Sequence, residues 1–411
     1  MSRKNFVIFI LLLITVLGGL LWFFFLRTDN TTPNITDIKD PNFFPFPDGA
    51  PDNKPATTTV STTTPIIDLG GGITILPNLR QLWKEPTAGA GFIASSSKTQ
   101  GIRFVDRSTG HIYESPIEDT GEAKISNITI PQIHEVYFSK NASNVLMRYL
   151  KDEVNIQSFY GVISTSTETT TTSSPALEGY FLQTNIKEIA STIGKLLYFD
   201  PTTSNNVLVE SNFDGTGKKF IMTSDTSQWL ISRNGSKTAF LSTKPSGTVG
   251  GFGYTLDIAT GVFRNVVSDV LGLTGTINPS GQYVFMSGVL GSGIDSGVFD
   301  IKNGITKALS KKTLSDKCSW GNTEDDIIYC AVPNYVSDGV YPDDWYQGNT
   351  GFDDIMWKIN VATGETEFVF DPQMDVFKSM DMFKISLDST DSYLVFTNKK
   401  DMSLWLYRLN Y

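Results

Sequence analysis

Along most of this chain, short apolar or alternating runs are closed by Gly, Asn, Asp or Ser, the pattern of brief β-strands joined by tight turns. Four of these closures are alike: VDRSTG at 105–110, LDIATG at 256–261, FDIKNG at 299–304 and INVATG at 359–364. In each, an Asp or Asn stands four positions before a Gly. The Asx side chain can bond the following backbone, and the glycine supplies the positive φ that returns the chain as a second strand. We expect this turn after the third strand of a repeated four-stranded unit. A second recurring turn, FSKNAS at 138–143, ISRNGS at 231–236, INPSG at 277–281 and ISLDS at 385–389, precedes another apolar run each time and reads as the hairpin between first and second strands.

Combining the two patterns divides the chain into units at about 89–130, 131–190, 191–227, 228–270, 271–312, 313–378 and 379–411. Seven units of one four-stranded type predict an all-β propeller, with six or eight blades as neighbouring counts. The last unit stops three strands in, after LWLYRL at 404–409. Leu79-Arg80-Gln81-Leu82-Trp83 is an apolar-rich run with no partner of its own, and pairing it into the last blade would close the ring without an open edge. Regular single-blade spacing sets aside the alternative of two stacked sandwiches. These turns resemble those of TolB-like and WD40-like propellers over most of residues 79–411. More narrowly, an anchor, a Thr-rich spacer, residues 79–83 followed by Pro86 and Ala88-Gly89-Ala90, and the stretch from Cys318 to Trp357 resemble membrane-anchored envelope propeller proteins of small-genome bacteria. That resemblance implies a fold and a location and names no activity.

Residues 6–26 form an uncharged apolar run, enough as a helix to span the hydrocarbon layer of roughly 30 Å. Arg3 and Lys4 before it and Asp29 after it place tip 1–5 in the cytoplasm and the rest outside, periplasmic or extracellular, with Arg27 opposing that bias. The alternative is a cleaved signal peptide, disfavoured by the length of the run and its Trp-Phe-Phe-Phe ending. Residues 27–72 are rich in Thr, Pro, Asp and Asn and read as a disordered spacer before a propeller at 73–411, with Phe43-Phe44-Pro45-Phe46 as a docking or membrane-surface patch. The 164–174 Thr/Ser insertion also reads as disordered.

Charge narrows the functional classes. The chain carries 33 Lys and Arg against 43 Asp and Glu, a net charge of −10, and no basic stripe, which argues against nucleic acid. Its two cysteines, Cys318 and Cys330, flank a turn centred on Glu324 and are expected to face each other as a disulfide, persisting in an oxidising compartment. Two thiols fall short of a metal's ligand set, and the only histidines, His111 and His134, are placed in distant blades, so no metal or cofactor is expected. No nucleophile elbow, phosphate loop or catalytic triad is present, so no catalytic residue is assigned.

The chemistry that stands out is an insertion in the sixth unit, where Tyr341, Asp343, Asp344, Trp345, Tyr346, Phe352, Asp353 and Asp354 alternate aromatic and acidic character. Two readings fit it equally: recognition of a partner, or aromatics packed back onto the blade. Long second-to-third connections expected at 244–252, 286–297 and 334–354 would sit together on one rim. We therefore expect a membrane-anchored interaction or envelope-assembly module whose partner is an envelope or surface protein, or a glycan. A carboxylate-based lyase or hydrolase in the channel and a structural surface component are the alternatives.

Overall fold

The turn-delimited runs form seven four-stranded antiparallel sheets in the computed structural model, which describes residues 67–68, 74–94, 99–126, 128–164, 177–192, 194–203 and 205–409. The blades run over 87–124, 133–181, 189–223, 229–271, 274–308, 318–370 and 382–408, within a few residues of the expected units. Blade 7 takes its fourth strand from Leu79–Trp83, which pairs with Leu404–Arg408 in the register Leu79 to Tyr407 and Arg80 to Leu406. The seam is then locked to blade 1, because the buried Arg80 guanidinium donates to the carbonyls of Asp119 (2.6 Å), Ile117 (2.7 Å) and Pro116 (3.0 Å).

Each sheet buries both faces, so the core is a ring of seven separate clusters, one in each gap between neighbouring blades. In the gap between blades 1 and 2, Val105 and Ile112 meet Val145, Met147 and Phe159; between 7 and 1, Val395, Leu404 and Leu406 meet Ile102 and Phe104. Strands covered on both sides lose the polar alternation of a half-buried strand. Ile327–Pro333 of blade 6 is buried at every position.

The recurring Asx turn does the local work its sequence implies. Asp106 accepts from the Ser108 and Thr109 amides and the Thr109 hydroxyl, Asp257 repeats the arrangement with Ala259 and Thr260, and Asn360 accepts from the Ala362 and Thr363 amides. Gly110, Gly261, Gly304 and Gly364 take φ of 72°, 72°, 66° and 85°. Three of these turns follow a third strand as expected, but that of blade 1 joins its second strand, Thr99–Asp106, to its third, Ile112–Pro116. The motif encodes a hairpin and carries no strand index, so the Asp106 turn emerges on the face opposite to the others.

A second correction concerns Gly288 to Gly293, within the long connection expected at 286–297, where the glycine-rich sequence suggests a flexible loop. It is a paired hairpin, with Gly288 opposite Asp295, Val289 opposite Ile294 and Leu290 opposite Gly293, closed by the two-residue turn Gly291-Ser292. Before the ring, Ile67–Asp68 pairs with Thr74–Ile75, so chain pairing already begins inside the segment read as spacer. The apolar run 6–26, the Phe43 to Phe46 patch and residues 165–174 of the Thr/Ser insertion lie outside the described residues. Among the described residues, no helix is long and apolar enough to cross a membrane.

Candidate functional site: one face of the propeller

Every blade repeats the same strand order around one axis, so the starts of the inner strands, the second-to-third connections and the ends of the outer strands share one face. On this face the connections of blades 4, 5 and 6 touch. The Gly247 amide donates to the Asp343 carboxylate (2.6 Å) and the Ser292 hydroxyl to Asp338 (2.7 Å). Gly272, at φ 63°, lies so near that a Cβ there would sit 2.4 Å from the Tyr341 carbonyl oxygen. Apolar side chains stand exposed along this rim: Val249 at 65%, Leu290 at 72% and Tyr335 at 76%, with Phe252, Leu271 and Val340 beside them. Between blades 4 and 5 opens a cleft of about 640 Å³ whose lining includes Val267, Val270, Leu271, Met286 and Leu290.

The blade 6 insertion between Ile327–Pro333 and Asp354–Asn360 folds inward and carries one short helix, α1 (Asp343–Gln347). Tyr341, Trp345 and Phe352 are buried in a cluster with Ile294 and Leu314, so the packing reading holds for these aromatics. Asp354 is buried too. The others remain at the surface in defined roles: Asp343 holds Gly247, Asp344 accepts from the Val340 amide (2.7 Å), and Asp353 pairs with Lys400. Tyr346 is exposed along its ring, while its hydroxyl donates to Asp316 (3.0 Å).

What holds the insertion down was not legible beforehand. Lys317 is fully buried, its ammonium between Asp354 (2.7 Å) and Asp381 and over the rings of Trp345 and Phe352, 5.2 Å from each centroid. Asp381 also accepts the Trp345 indole N–H (2.9 Å) and the Phe352 amide (3.1 Å). Burial pushes the Asp354 carboxyl up to about 6 against the pull of Lys317. Beside this network Cys318 and Cys330, direct cross-strand partners with Cα atoms 4.1 Å apart, form the expected disulfide.

A second group of residues, missed in the sequence, gathers at the channel mouth on the same face. Inner strands of blades 7, 1 and 2 each bulge near their start: Lys384 and Ile385 fall out of register in Met382–Leu387, Ala88 in Thr87–Ala94 and His134 in Ile133–Phe138. The bulged residues meet, since the Lys384 ammonium donates to the carbonyls of Ala88 (2.8 Å) and His134 (3.4 Å). Arg107, delivered by the displaced Asp106 turn, lies 2.9 Å from His134 Nδ1. Glu135 is occupied by Arg148 and by the Tyr137 hydroxyl (2.7 Å), and Arg148 also donates to the Ile186 carbonyl (2.6 Å). Burial lowers the pKa of Lys384, and burial with neighbouring Arg107 and Lys384 lowers that of His134. Glu188, just ahead of the inner strand of blade 3, is pushed up to about 7 by burial and by Glu135, against Arg148 and Lys244.

His134 and His111 lie in adjacent blades rather than distant ones, and each is separately engaged, His111 with Thr129 (3.0 Å). Among the described residues, no three His, Cys, Asp or Glu side chains converge where a metal ion could be held. The signal in the sequence that could have drawn attention to the mouth was the scarcity of histidine, two in the whole chain; neither the strand position of the Asp106 turn nor the bulges leave a mark in the sequence.

No protein-family model matches the chain, and no curated protein matches it. Solved structures match in fold. An oligogalacturonate lyase in complex with manganese is 11% identical with a TM-score of 0.50, covering 85% of this chain and 97% of that one. The oligogalacturonate lyase of Vibrio parahaemolyticus is 10% identical with a TM-score of 0.50, covering 85% and 96%. TolB from Acinetobacter baumannii is 11% identical with a TM-score of 0.41, covering 76% and 78%. At such identities the likeness is one of propeller architecture.

Proposed function

We propose that the chain is a membrane-tethered, extracytoplasmic propeller that recognises a protein of the cell envelope through the rim of blades 4 to 6. The observation that carries this reading is the rim itself, three connections bonded to one another with Val249, Leu271, Leu290 and Tyr335 exposed around an apolar cleft. Isolated exposed apolar residues are ordinary, whereas a contiguous set beside a cleft is the form of a protein-binding surface. The tether rests on the 6–26 apolar run.

The test is site-specific photocrosslinking of the full-length chain in its membrane. Crosslinkers at Leu290 and Tyr335 are expected to capture one reproducible protein, lost when either residue is changed to Asp, while a crosslinker at Ile305, on the opposite face, captures none. Recovery of the same species from both faces, or of nothing from the rim, overturns the reading.

The ionisable groups at the channel mouth favour a second reading, an extracytoplasmic lyase or hydrolase built on Glu188 and its neighbours. Product formation from uronate-containing oligosaccharides, abolished by Glu188→Gln, would establish it; no product from such a panel counts against it.

A further inference from the structure

We propose that the channel mouth holds a small oxyanion, a carboxylate or a phosphate, between Arg107, His134 and Lys384. The inference is independent of the partner rim, which lies on the other arc of the same face.

Three observations support it. Bulges in three adjacent inner strands bring Ala88, His134 and Lys384 to one point, and Lys384 takes a left-handed backbone, φ 50°, to reach it. Bulges re-aim a side chain at the expense of ladder pairing, so three at one level amount to a shaped place. Next, the donors outnumber the acceptors. Arg107 and Lys384 form no ion pair among the described residues, and the nearby carboxylate, Glu135, is already taken by Arg148 and Tyr137. Lys384 spends its protons on two carbonyls and keeps one.

Finally, the histidine tautomer is fixed. A guanidinium can only donate, so the contact from Arg107 Nη2 makes His134 Nδ1 the acceptor and leaves the proton of the neutral ring on Nε2. The mouth therefore carries N–H donors of an arginine, a lysine and a neutral imidazole, and the carboxylate within electrostatic reach of them among the described residues, Glu135, is already engaged by Arg148 and Tyr137. That donor set matches oxygen atoms carrying negative charge.

The experiment is titration calorimetry on the detergent-extracted full-length chain at low ionic strength, where screening is weakest, with inorganic phosphate and acetate as separate probes. At least one should bind, and Arg107→Gln and Lys384→Met should each weaken it roughly tenfold or more, the loss expected for one charge-assisted hydrogen bond. Lys140→Met, on the opposite face, should leave binding unchanged. Binding of phosphate alone assigns the site to phosphoryl groups, and binding of acetate as well extends it to carboxylates. Binding of neither probe, or binding that survives both variants, overturns the proposal. Should Lys384→Met fail to fold, Arg107→Gln at its half-buried turn position carries the test.

Discussion

Lys317→Met tests whether the buried network, rather than the apolar cluster alone, seats the blade 6 insertion. Lys317 has no exposed surface and neutralises two carboxylates that are themselves buried, Asp354 at 2.7 Å and Asp381. Methionine fills much of the lysine's volume, so little of the expected effect comes from packing. What remains is an uncompensated pair of buried acids, and removing one partner from such a network costs about 3–5 kcal/mol. The loss depends on pH. Asp354, already pushed up to about 6, holds a proton more readily in the folded chain than in the unfolded one, so acid conditions relieve the cost. We expect a loss near the upper end of that range at pH 8, reduced by ~1–2 kcal/mol at pH 5, where Asp354 is protonated. Denaturant unfolding followed by Trp fluorescence at both pH values measures it, and limited proteolysis within 334–353 reports locally. Adding Asp381→Asn should recover part of the loss, because it removes one of the stranded charges. A Lys317→Met variant within ~1 kcal/mol of wild type at pH 8, or equally destabilised at both pH values, would refute the argument.

Other outcomes follow from the same geometry. Replacing Cys318 and Cys330 by Ala opens a loop of sequence separation 12 and should cost about 3 kcal/mol on the chain-entropy account, read from unfolding with and without reductant. Gly304→Ala meets open space and should cost only the left-handed backbone term, about 1–2 kcal/mol. At Gly110 a Cβ would fall 2.2 Å from the Ile130 carbonyl oxygen, so Gly110→Ala should cost about 3–4 kcal/mol, and equal melting shifts for the two variants would contradict this. Glu188, facing Glu135, Arg148, Lys244 and Tyr346, has a folded pKa raised to about 7. The native state therefore holds a proton that the unfolded state has lost, and stability falls as pH rises through that window. Glu188→Gln should stabilise by about 1–2 kcal/mol at pH 8, after allowance for solvent screening, and by nothing at pH 4. A gain at pH 4 in thermal melts would contradict the assignment.

Turn chemistry made the fold legible. An Asx residue and a glycine at fixed spacing mark a hairpin wherever they occur, and closure by Leu79–Trp83 followed from counting strands in the last unit. The same locality explains the errors. The Asp106 turn carries no record of which strands it joins, and Gly288 to Gly293 looks like a loop because the cross-strand partners that pair it are not neighbours in sequence. In the site, Cys318 and Cys330 were readable because one hairpin sets their pairing. Lys317 was not, because its aspartates come from positions 354 and 381, and nothing in the sequence marks a lysine as buried. Lys384 and His134 meet through bulges, which depend on packing between blades.

The two faces of the ring differ in how they settle their polar groups, and this difference is the argument for where function lies. On the face of the first-to-second and third-to-fourth turns, the Asx side chains bond their own backbones. Asn278 serves the Gln282 and Tyr283 amides, Asp388 those of Ser392 and Tyr393, and Asp257 and Asn360 their own turns. Such turns are complete in themselves and need no ligand. The other face carries the departures: the displaced Asp106 turn, the insertion of blade 6, the projecting hairpin of blade 5 and three bulged inner strands. These features weaken regular pairing, and the core clusters between blades would be served as well without them. What they produce in return is an exposed apolar rim on one arc and, on the other, a set of N–H donors from Arg107, His134 and Lys384 whose neighbouring carboxylate, Glu135, is already engaged by Arg148 and Tyr137. A chain selected only to close a stable ring has no use for either.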